Sequence, residues 1–206
     1  MSFYATHLFP YFMDWSMGTR GFQEQRREAL KPLHGDVLEI GFGTGLNLPH
    51  YPAAVTGVIA LEPARLLPGK VSQRIAAALM PVKIVQGSAE SLPFHDRRFD
   101  CVLSTWTLCT IPDVMAALRE VRRVLKPGGE FAFLEHGRSE SPRIATWQDR
   151  LNPLQQRIGV GCNMNRAIDR LITEAGLKLT HLDRFQMPRT PRLVGKMYRG
   201  LALPPD

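Results

Sequence analysis

Three places in the sequence combine residue types and spacing that can do chemistry. The first is Glu39-Ile-Gly41-Phe-Gly43-Thr44-Gly45, in which glycines alternate with other residues just after an acid. Glycines let a backbone turn sharply and approach a ligand more closely than a residue with a Cβ can. The second is Glu62, 17 residues after Gly45 and directly before Pro63. A carboxylate so placed after a glycine-rich turn can accept hydrogen bonds from both hydroxyls of a ribose. The third is His136, which follows an apolar run; an imidazole of pKa near about 6.5 can take a proton from a thiol, hydroxyl or amine. Ser88 and Ala89 in Gly-Ser-Ala-Glu-Ser-Leu-Pro-Phe lie where an adenine would sit, and Trp106 and Leu108 could wall an apolar acceptor pocket.

The spacing also excludes. A dinucleotide fingerprint needs glycine where Leu46 stands, and a phosphate-binding P-loop needs a Gly-Lys-Ser/Thr that is absent. An NAD(P)-dependent oxidoreductase and a non-catalytic nucleotide-binding protein therefore rank behind an enzyme built on the Glu39–Gly45 loop. Cys101, Cys109 and Cys162 form no close pair, and no histidine falls in metal-ligand spacing, so no metal is expected. Cys109 reads as a small buried hydrophobe, and Cys162, with Asn163 and Arg166, as part of a lid. Arg166 could attract an anionic acceptor or pair with Asp169.

Such residues need strands to present them at one edge. Short apolar runs at 36–41, 57–62, 82–86, 100–104 and 130–135 read as strands covered on both faces. Pro112–Leu125 places Val114, Leu118, Val121 and Leu125 on one helical face, 63–79 is a weaker helix, and Asn165–Ala175 ends at Gly176. Two further extended runs, 177–185 and 194–203, read as a hairpin at the sheet edge. The alternation predicts an α/β fold, a doubly wound, mostly parallel seven-stranded sheet with helices on both faces. One domain over 1–206 is expected, with residues 1–32 as an N-terminal helical lid and 137–164 as an irregular, partly helical insertion on the substrate side.

The 206 residues are enough to bury a full core without disulfides. The net charge of +7 resides in residues 115–206, with sixteen basic and nine acidic side chains against ten and ten in 1–114. The basic residues are scattered single arginines rather than a block, so no nucleic-acid partner is expected. No apolar stretch is long enough to span a membrane, and the N-terminus is not a convincing signal peptide, which makes the cytoplasm the default location. The aromatic N-terminus (Phe3, Tyr4, Phe9, Tyr11, Phe12, Trp15) suits either a lid or peripheral contact with a membrane surface. Oligomeric state is not encoded in any of these features.

The strings VLEIGFGTGLNLPHYP, ALEP, GSAESLPF, FDCVLSTWTL and LREVRRVLKPGGEFAFLEHG resemble class I S-adenosylmethionine-dependent methyltransferases with a methyltransferase-type-11 domain. TWQDRLNPLQQRIGVGCNMNRAIDRLITEAGL is similar to the small thiol S-methyltransferase-like branch. The resemblance implies a Rossmann-like methyltransferase fold and S-adenosyl-L-methionine as cofactor. It implies that Glu39 and the Gly41, Phe42, Gly43 and Thr44 loop hold the amino-acid end, with Asn47 near the carboxylate. Glu62 would bind the ribose, Pro63, Ser88 and Ala89 the adenine, and Thr105 the methionine part. The expected reaction is methyl transfer to a small, fairly apolar acceptor, a thiol ahead of a phospholipid amine or a quinone ring, with His136 catalytic and Trp106 binding substrate.

Overall fold

The computed structural model describes residues 4–64 and 66–205, so Phe3 lies outside the described residues. Five parallel strands form the body of the sheet: β1 (Gly35–Ile40), β2 (Val55–Leu61), β3 (Val82–Val85), β4 (Phe99–Thr105) and β5 (Leu125–His136). β6 (Lys178–Gln186) and β7 (Lys196–Leu203) form the closing hairpin, and β7 lies antiparallel between β5 and β6. The order β3-β2-β1-β4-β5-β7-β6 reverses between β1 and β4, so their carboxyl ends open the crevice where such sheets bind ligands.

Side-chain alternation splits the core into two layers. Leu38, Ile40, Val102, Phe131 and Phe133 pack on one face with α4 (Val114–Val124) and α6 (Ile168–Glu174). Val37, Cys101, Leu103, Ala132 and Leu134 face the other, with Ala29 and Leu30 of α2 (Arg20–Leu30) and Val71 of α3 (Pro68–Ala76). Asp113 caps α4 by accepting from the Ala116 amide at 2.9 Å, and Val114, Leu118, Val121 and Leu125 are all buried as their spacing predicts. Gly176 closes α6 at φ +83°, where a Cβ would lie 2.4 Å from the Arg122 guanidinium.

Three segments differ from the sequence expectation. The helix expected over 63–79 begins only at Pro68, which suits a first turn. β5 starts at Leu125 rather than Glu130, because Pro127-Gly128-Gly129 forms an irregularity inside the strand where the register to β4 shifts. The segment 137–164 is largely regular and holds the 17-residue α5 (Pro142–Ile158), with Pro153 inside it. Its polarity is inverted: Gln148 and Asn152 are buried, whereas Trp147, Leu154 and Ile158 are exposed. The same holds for α1 (Phe9–Met17), which buries Asp14 and exposes Tyr11, Phe12 and Trp15.

Candidate active site

β1 delivers Glu39 and then turns at Gly41, whose φ of +68° suits glycine. A Cβ on Gly41 would lie 2.2 Å from Thr107 Cγ2, so the exits of β1 and β4 touch here. Gly43 also turns at positive φ, and its amide donates to Glu62 Oε2 at 2.8 Å. The other Glu62 oxygen accepts from the Ala64 amide at 3.3 Å, which holds the carboxylate against the loop. Burial pushes the Glu62 pKa up, against those two amides.

Glu39, Asn47 and Thr105 form one buried network on the face covered by α2. Glu39 Oε1 accepts from Asn47 Nδ2 at 2.7 Å, and Oε2 accepts from the Tyr51 hydroxyl at 2.6 Å. Asn47 Nδ2 also donates to Thr105 Oγ1 at 3.0 Å. Arg26 reaches in from α2 and donates Nη1 to Asn47 Oδ1 at 2.7 Å and to Thr105 Oγ1 at 3.2 Å. Burial pushes Glu39 up to about 7, against Tyr51, Asn47 and Arg26. Burial likewise brings Arg26 down to about 10, with Glu39 opposing. The Arg26 guanidinium lies over the Trp106 ring, 4.7 Å from its centroid, and Phe22 meets that ring edge-on. Trp106 itself sits at φ +51°, a left-handed conformation uncommon for a bulky residue.

Two donors in this region, Arg26 Nε and Trp106 Nε1, are buried without a partner. Such groups are costly unless something accepts from them. Thr44, by contrast, has its hydroxyl committed: it donates to Asp14 Oδ1 of α1 at 2.6 Å. Arg74 donates to the same oxygen at 2.6 Å and to the Thr44 carbonyl at 2.7 Å, and Lys70 reaches the other Asp14 oxygen at 2.6 Å. Burial alone would raise the Asp14 pKa, but these donors hold it well below the usual carboxylate range. Thus α1 is fastened across the glycine-rich loop.

The other side of the crevice is built from β4 and β5. Glu135 Oε1 accepts from Ser104 Oγ at 2.7 Å and the Thr107 amide at 3.1 Å; Oε2 is buried without a partner. Burial raises Glu135 to about 7. His136 ends β5, nearly buried, with Nε2 2.9 Å from Cys162 Sγ. Cys109, Cys162 and His136 bring their ligand atoms within 4.8 Å of one another. The Cys109 thiol and then His136 hold Cys162 well below its ordinary pKa despite burial, while Cys109 is raised by Cys162 and by its own burial. Burial disfavours protonation of His136, but Cys162 and Glu135 outweigh it and raise its pKa. Arg166 pairs with the main chain rather than with Asp169, donating to the carbonyls of Leu108, Ile111 (2.8 Å) and Pro112 (3.4 Å); Asp169 instead pairs with Arg184.

The remaining expected residues lie farther along the edge. Ser88 is exposed and bonds Glu90 at 3.0 Å, Ala89 is in the core, and the Pro63 carbonyl accepts from Gln86 at 3.2 Å. Phe42 is 4% exposed and belongs to the core, and its backbone is paired as well: its amide donates to the Leu61 carbonyl at 3.2 Å and its carbonyl accepts from the Gly45 amide at 3.1 Å. Sequence reasoning missed Arg26, Asp14 and Tyr51, which lie on helices or in a loop, and Glu135, which stands at the end of β5 beside His136. It also missed the meeting of Cys109 and Cys162, which are 53 residues apart in the chain.

Residues 38–133 match the methyltransferase domain family. The chain is 32% identical to the human thiol S-methyltransferase TMT1A over 171 residues, covering 81% of this chain and 70% of that protein. This chain belongs to the class I S-adenosylmethionine-dependent methyltransferases. It is also 30% identical to phosphatidylethanolamine N-methyltransferase of Cereibacter sphaeroides, covering 86% of each chain. A SAM-dependent methyltransferase of Thermotoga maritima shares the fold at a TM-score of 0.67 and 21% identity, over 97% of this chain and 99% of that one. The protein is therefore an S-adenosylmethionine-dependent enzyme, and S-adenosylmethionine is its cofactor. The residues present suit that group. Arg26 Nε and Trp106 Nε1 are buried donors lacking an acceptor, and a carboxylate supplies one. A Cβ on Gly43 would meet nothing nearer than the Gly41 carbonyl at 3.9 Å, leaving the loop open to close approach. Among the described residues no helix is long and apolar enough to cross a membrane.

Proposed function

We propose that this methyltransferase methylates a small, fairly apolar thiol at the end of β5. The observation that carries the reading is the nearly buried His136, which stands with two cysteines where the acceptor must lie. The likeness to a thiol S-methyltransferase supports it. A phospholipid amine is the second reading, favoured by the likeness to the phosphatidylethanolamine enzyme and by the exposed apolar faces of α1 and α5.

On this reading Glu39, Asn47 and the backbone of Gly41–Gly43 hold the amino-acid end of the cofactor. Arg26 and Trp106 take its carboxylate, Glu62 takes the ribose hydroxyls, and Pro63, Ser88 and Ala89 border the adenine. The cofactor supplies a methyl group already activated on a sulfonium sulfur. The chain's main task is to align acceptor and methyl group, and alignment of this kind is worth about 7–11 kcal/mol. Residues 1–32 act as a lid, with Asp14 holding α1 over Thr44. His136 keeps the acceptor sulfur deprotonated. Thiolate and sulfonium both lose charge as they react, so exclusion of water by α1 and α5 favours the step.

Leu8, Tyr11, Phe12 and Trp15 on one side, and Trp147, Leu154 and Ile158 on the other, expose apolar side chains beside Arg143, Arg150 and Arg157. The Tyr4 hydroxyl bonds the Ile158 carbonyl at 3.0 Å, which links the two segments. Exposed aromatic residues mixed with arginine suit peripheral contact with a membrane surface. The test is a parallel assay of thiols, ethanolamine lipids and quinols with S-adenosylmethionine, methylated products being read by mass spectrometry. Methylation of thiols alone supports the first reading. Methylation of the lipid amine alone replaces it with the second.

A further inference from the structure

We propose that Cys109, His136 and Cys162 bind a zinc-class divalent cation whose open fourth position receives the acceptor thiol. The acceptor part rests on the thiol reading above; the metal part stands on the three side chains alone.

Two thiols and an imidazole are the donor set of borderline-soft cations, and three protein ligands with one vacant position are the arrangement of catalytic zinc. The three come from separate elements: the loop after β4, the last residue of β5 and the loop after α5. Their Sγ and Nε2 atoms lie within 4.8 Å of one another. A tetrahedral zinc with bonds of about 2.0–2.3 Å has ligand edges of about 3.5–3.8 Å, so the 2.9 Å His136–Cys162 pair has to open by less than about 1 Å. Cys109 and His136 are buried and Cys162 is partly exposed, which sets the vacant position on the Cys162 side.

The surroundings are built to hold the two cysteine loops together. The Asn163 amide and its Nδ2 both donate to the Cys109 carbonyl, at 2.8 and 3.0 Å. Asn163 Oδ1 accepts in turn from Asn152 Nδ2 at 3.0 Å and Gln156 Nε2 at 2.6 Å, both on α5. Arg166 anchors the carbonyls that flank Cys109. Val160 and Gly161 both take positive φ, at 49° and 91°, to turn the chain from α5 back to Cys162. Outer contacts that orient ligands in this way are a regular part of metal sites. The loop carrying Cys109 also touches the cofactor side, since Thr107 Oγ1 donates to the Gly41 carbonyl at 3.4 Å.

The chemistry balances without a further reagent. The acceptor R–SH binds the cation as R–S⁻ and its proton goes to solvent, so His136 keeps the sulfur deprotonated as a ligand of the cation rather than as a base. The sulfur lone pair forms the new bond to the methyl carbon as the carbon–sulfonium bond breaks, its electron pair staying on the departing sulfur. The product thioether is neutral, a weaker ligand than the thiolate, and leaves the cation.

The experiment titrates the metal-free full chain with Co(II) and follows the thiolate–Co(II) and visible bands. One equivalent bound with tetrahedral intensity is the expected result. Cys109→Ser, Cys162→Ser and His136→Ala should each weaken binding by more than the about 10–100-fold cost of disturbing an outer contact. Cys101→Ser, at the opposite end of β4, should bind as wild type. Should the serine variants fail to fold, protection of the partly exposed Cys162 thiol from Ellman's reagent by Zn(II) in the wild type decides the same question. No binding, or binding lost only with Cys101, overturns the metal site. Adding benzenethiol without cofactor should shift the Co(II) bands, whereas ethanolamine should not. Metal-free protein that methylates benzenethiol at the full rate overturns the proposal and leaves the thiol reading intact. A bound cation indifferent to benzenethiol, in a protein that methylates no thiol, overturns the acceptor part together with that reading.

Discussion

The two sides of the crevice are built in opposite ways. On the side proposed for the cofactor Glu39, Asn47, Arg26, Tyr51 and Thr105 share a dense set of hydrogen bonds between 2.6 and 3.2 Å. On the side proposed for the acceptor His136, Cys109 and Cys162 stand among weak donors, with a carboxylate oxygen of Glu135 unpartnered nearby. The first is a fixed cradle whose geometry is set before any ligand arrives, and the orientation cost of binding is correspondingly small. The second is held from outside, by Asn163 and Arg166, and His136 and Cys162 meet each other within it. A methyltransferase with one invariant donor and a variable acceptor has reason to separate the two.

That difference can be broken from either side. The largest expected effect is on the acceptor side: His136→Ala should lower thiol turnover about 100-fold or more while S-adenosylhomocysteine affinity, read by calorimetry, stays as in wild type. A loss of cofactor affinity equal to the loss of turnover would merge the two sides. On the cofactor side, Arg26→Met should weaken S-adenosylhomocysteine binding by about 1–3 kcal/mol and lower thermal stability, because Asn47 and Thr105 lose a buried donor. An unaltered Kd in a folded variant would remove Arg26 from the cradle. Glu62→Ala should cost a similar or smaller amount, about 1–2 kcal/mol, with turnover at saturating cofactor little changed.

The smallest effect concerns pH and sharpens the comparison. Glu39 titrates at about 7 in the ligand-free protein instead of its ordinary 4.5. The native state therefore keeps a proton that the unfolded chain has lost, and the contribution of Glu39 to stability falls as pH rises from about 4.5 through 7. Arg26, Tyr51 and Asn47 face this carboxyl, with Glu62 nearby. The positive amino and sulfonium groups of the cofactor favour the ionised form, so binding should release a proton below pH 7 and tighten several-fold between pH 6 and 8. Calorimetry in buffers of different ionisation enthalpy measures that proton, and Glu39→Gln should abolish the dependence. A flat profile in the wild type would mean Glu39 does not meet the cofactor's charge.

The same contrast governs what could be read from the chain. The glycine-rich loop lies at strand ends, where an apolar run followed by glycines marks the place, so Glu39, Gly41, Gly43 and Glu62 could be put forward from spacing alone, and the structure brings Gly43 and Glu62 into contact. The strand–helix alternation and the closing hairpin are legible for the same reason. Arg26 and Asp14 carry no such mark, because each is a single polar residue whose role depends on how a helix docks. The extent of α5 is veiled by its inverted polarity: Gln148 faces inward and donates to the carbonyls of Gly137, Met164 and Leu193 at 2.8–3.0 Å, whereas Trp147 and Leu154 face out. Apolar periodicity finds helices that pack on oil, not helices that pack on carbonyls. The Cys109–Cys162 meeting depends on that helix, and is veiled with it.

Asp14 carries one more consequence, in time rather than in energy. It is the buried acid to which Thr44, Lys70 and Arg74 all converge, and it lies on the helix that crosses the cofactor loop. If spent cofactor leaves beneath α1, that helix must first part a carboxylate from two cations. Opening is then a discrete event with its own rate, and exchange of S-adenosylhomocysteine for fresh cofactor becomes the slow part of the cycle. Under saturating substrates such an enzyme would show a burst of one product per chain, and the steady rate after it would be the rate at which Asp14 lets go.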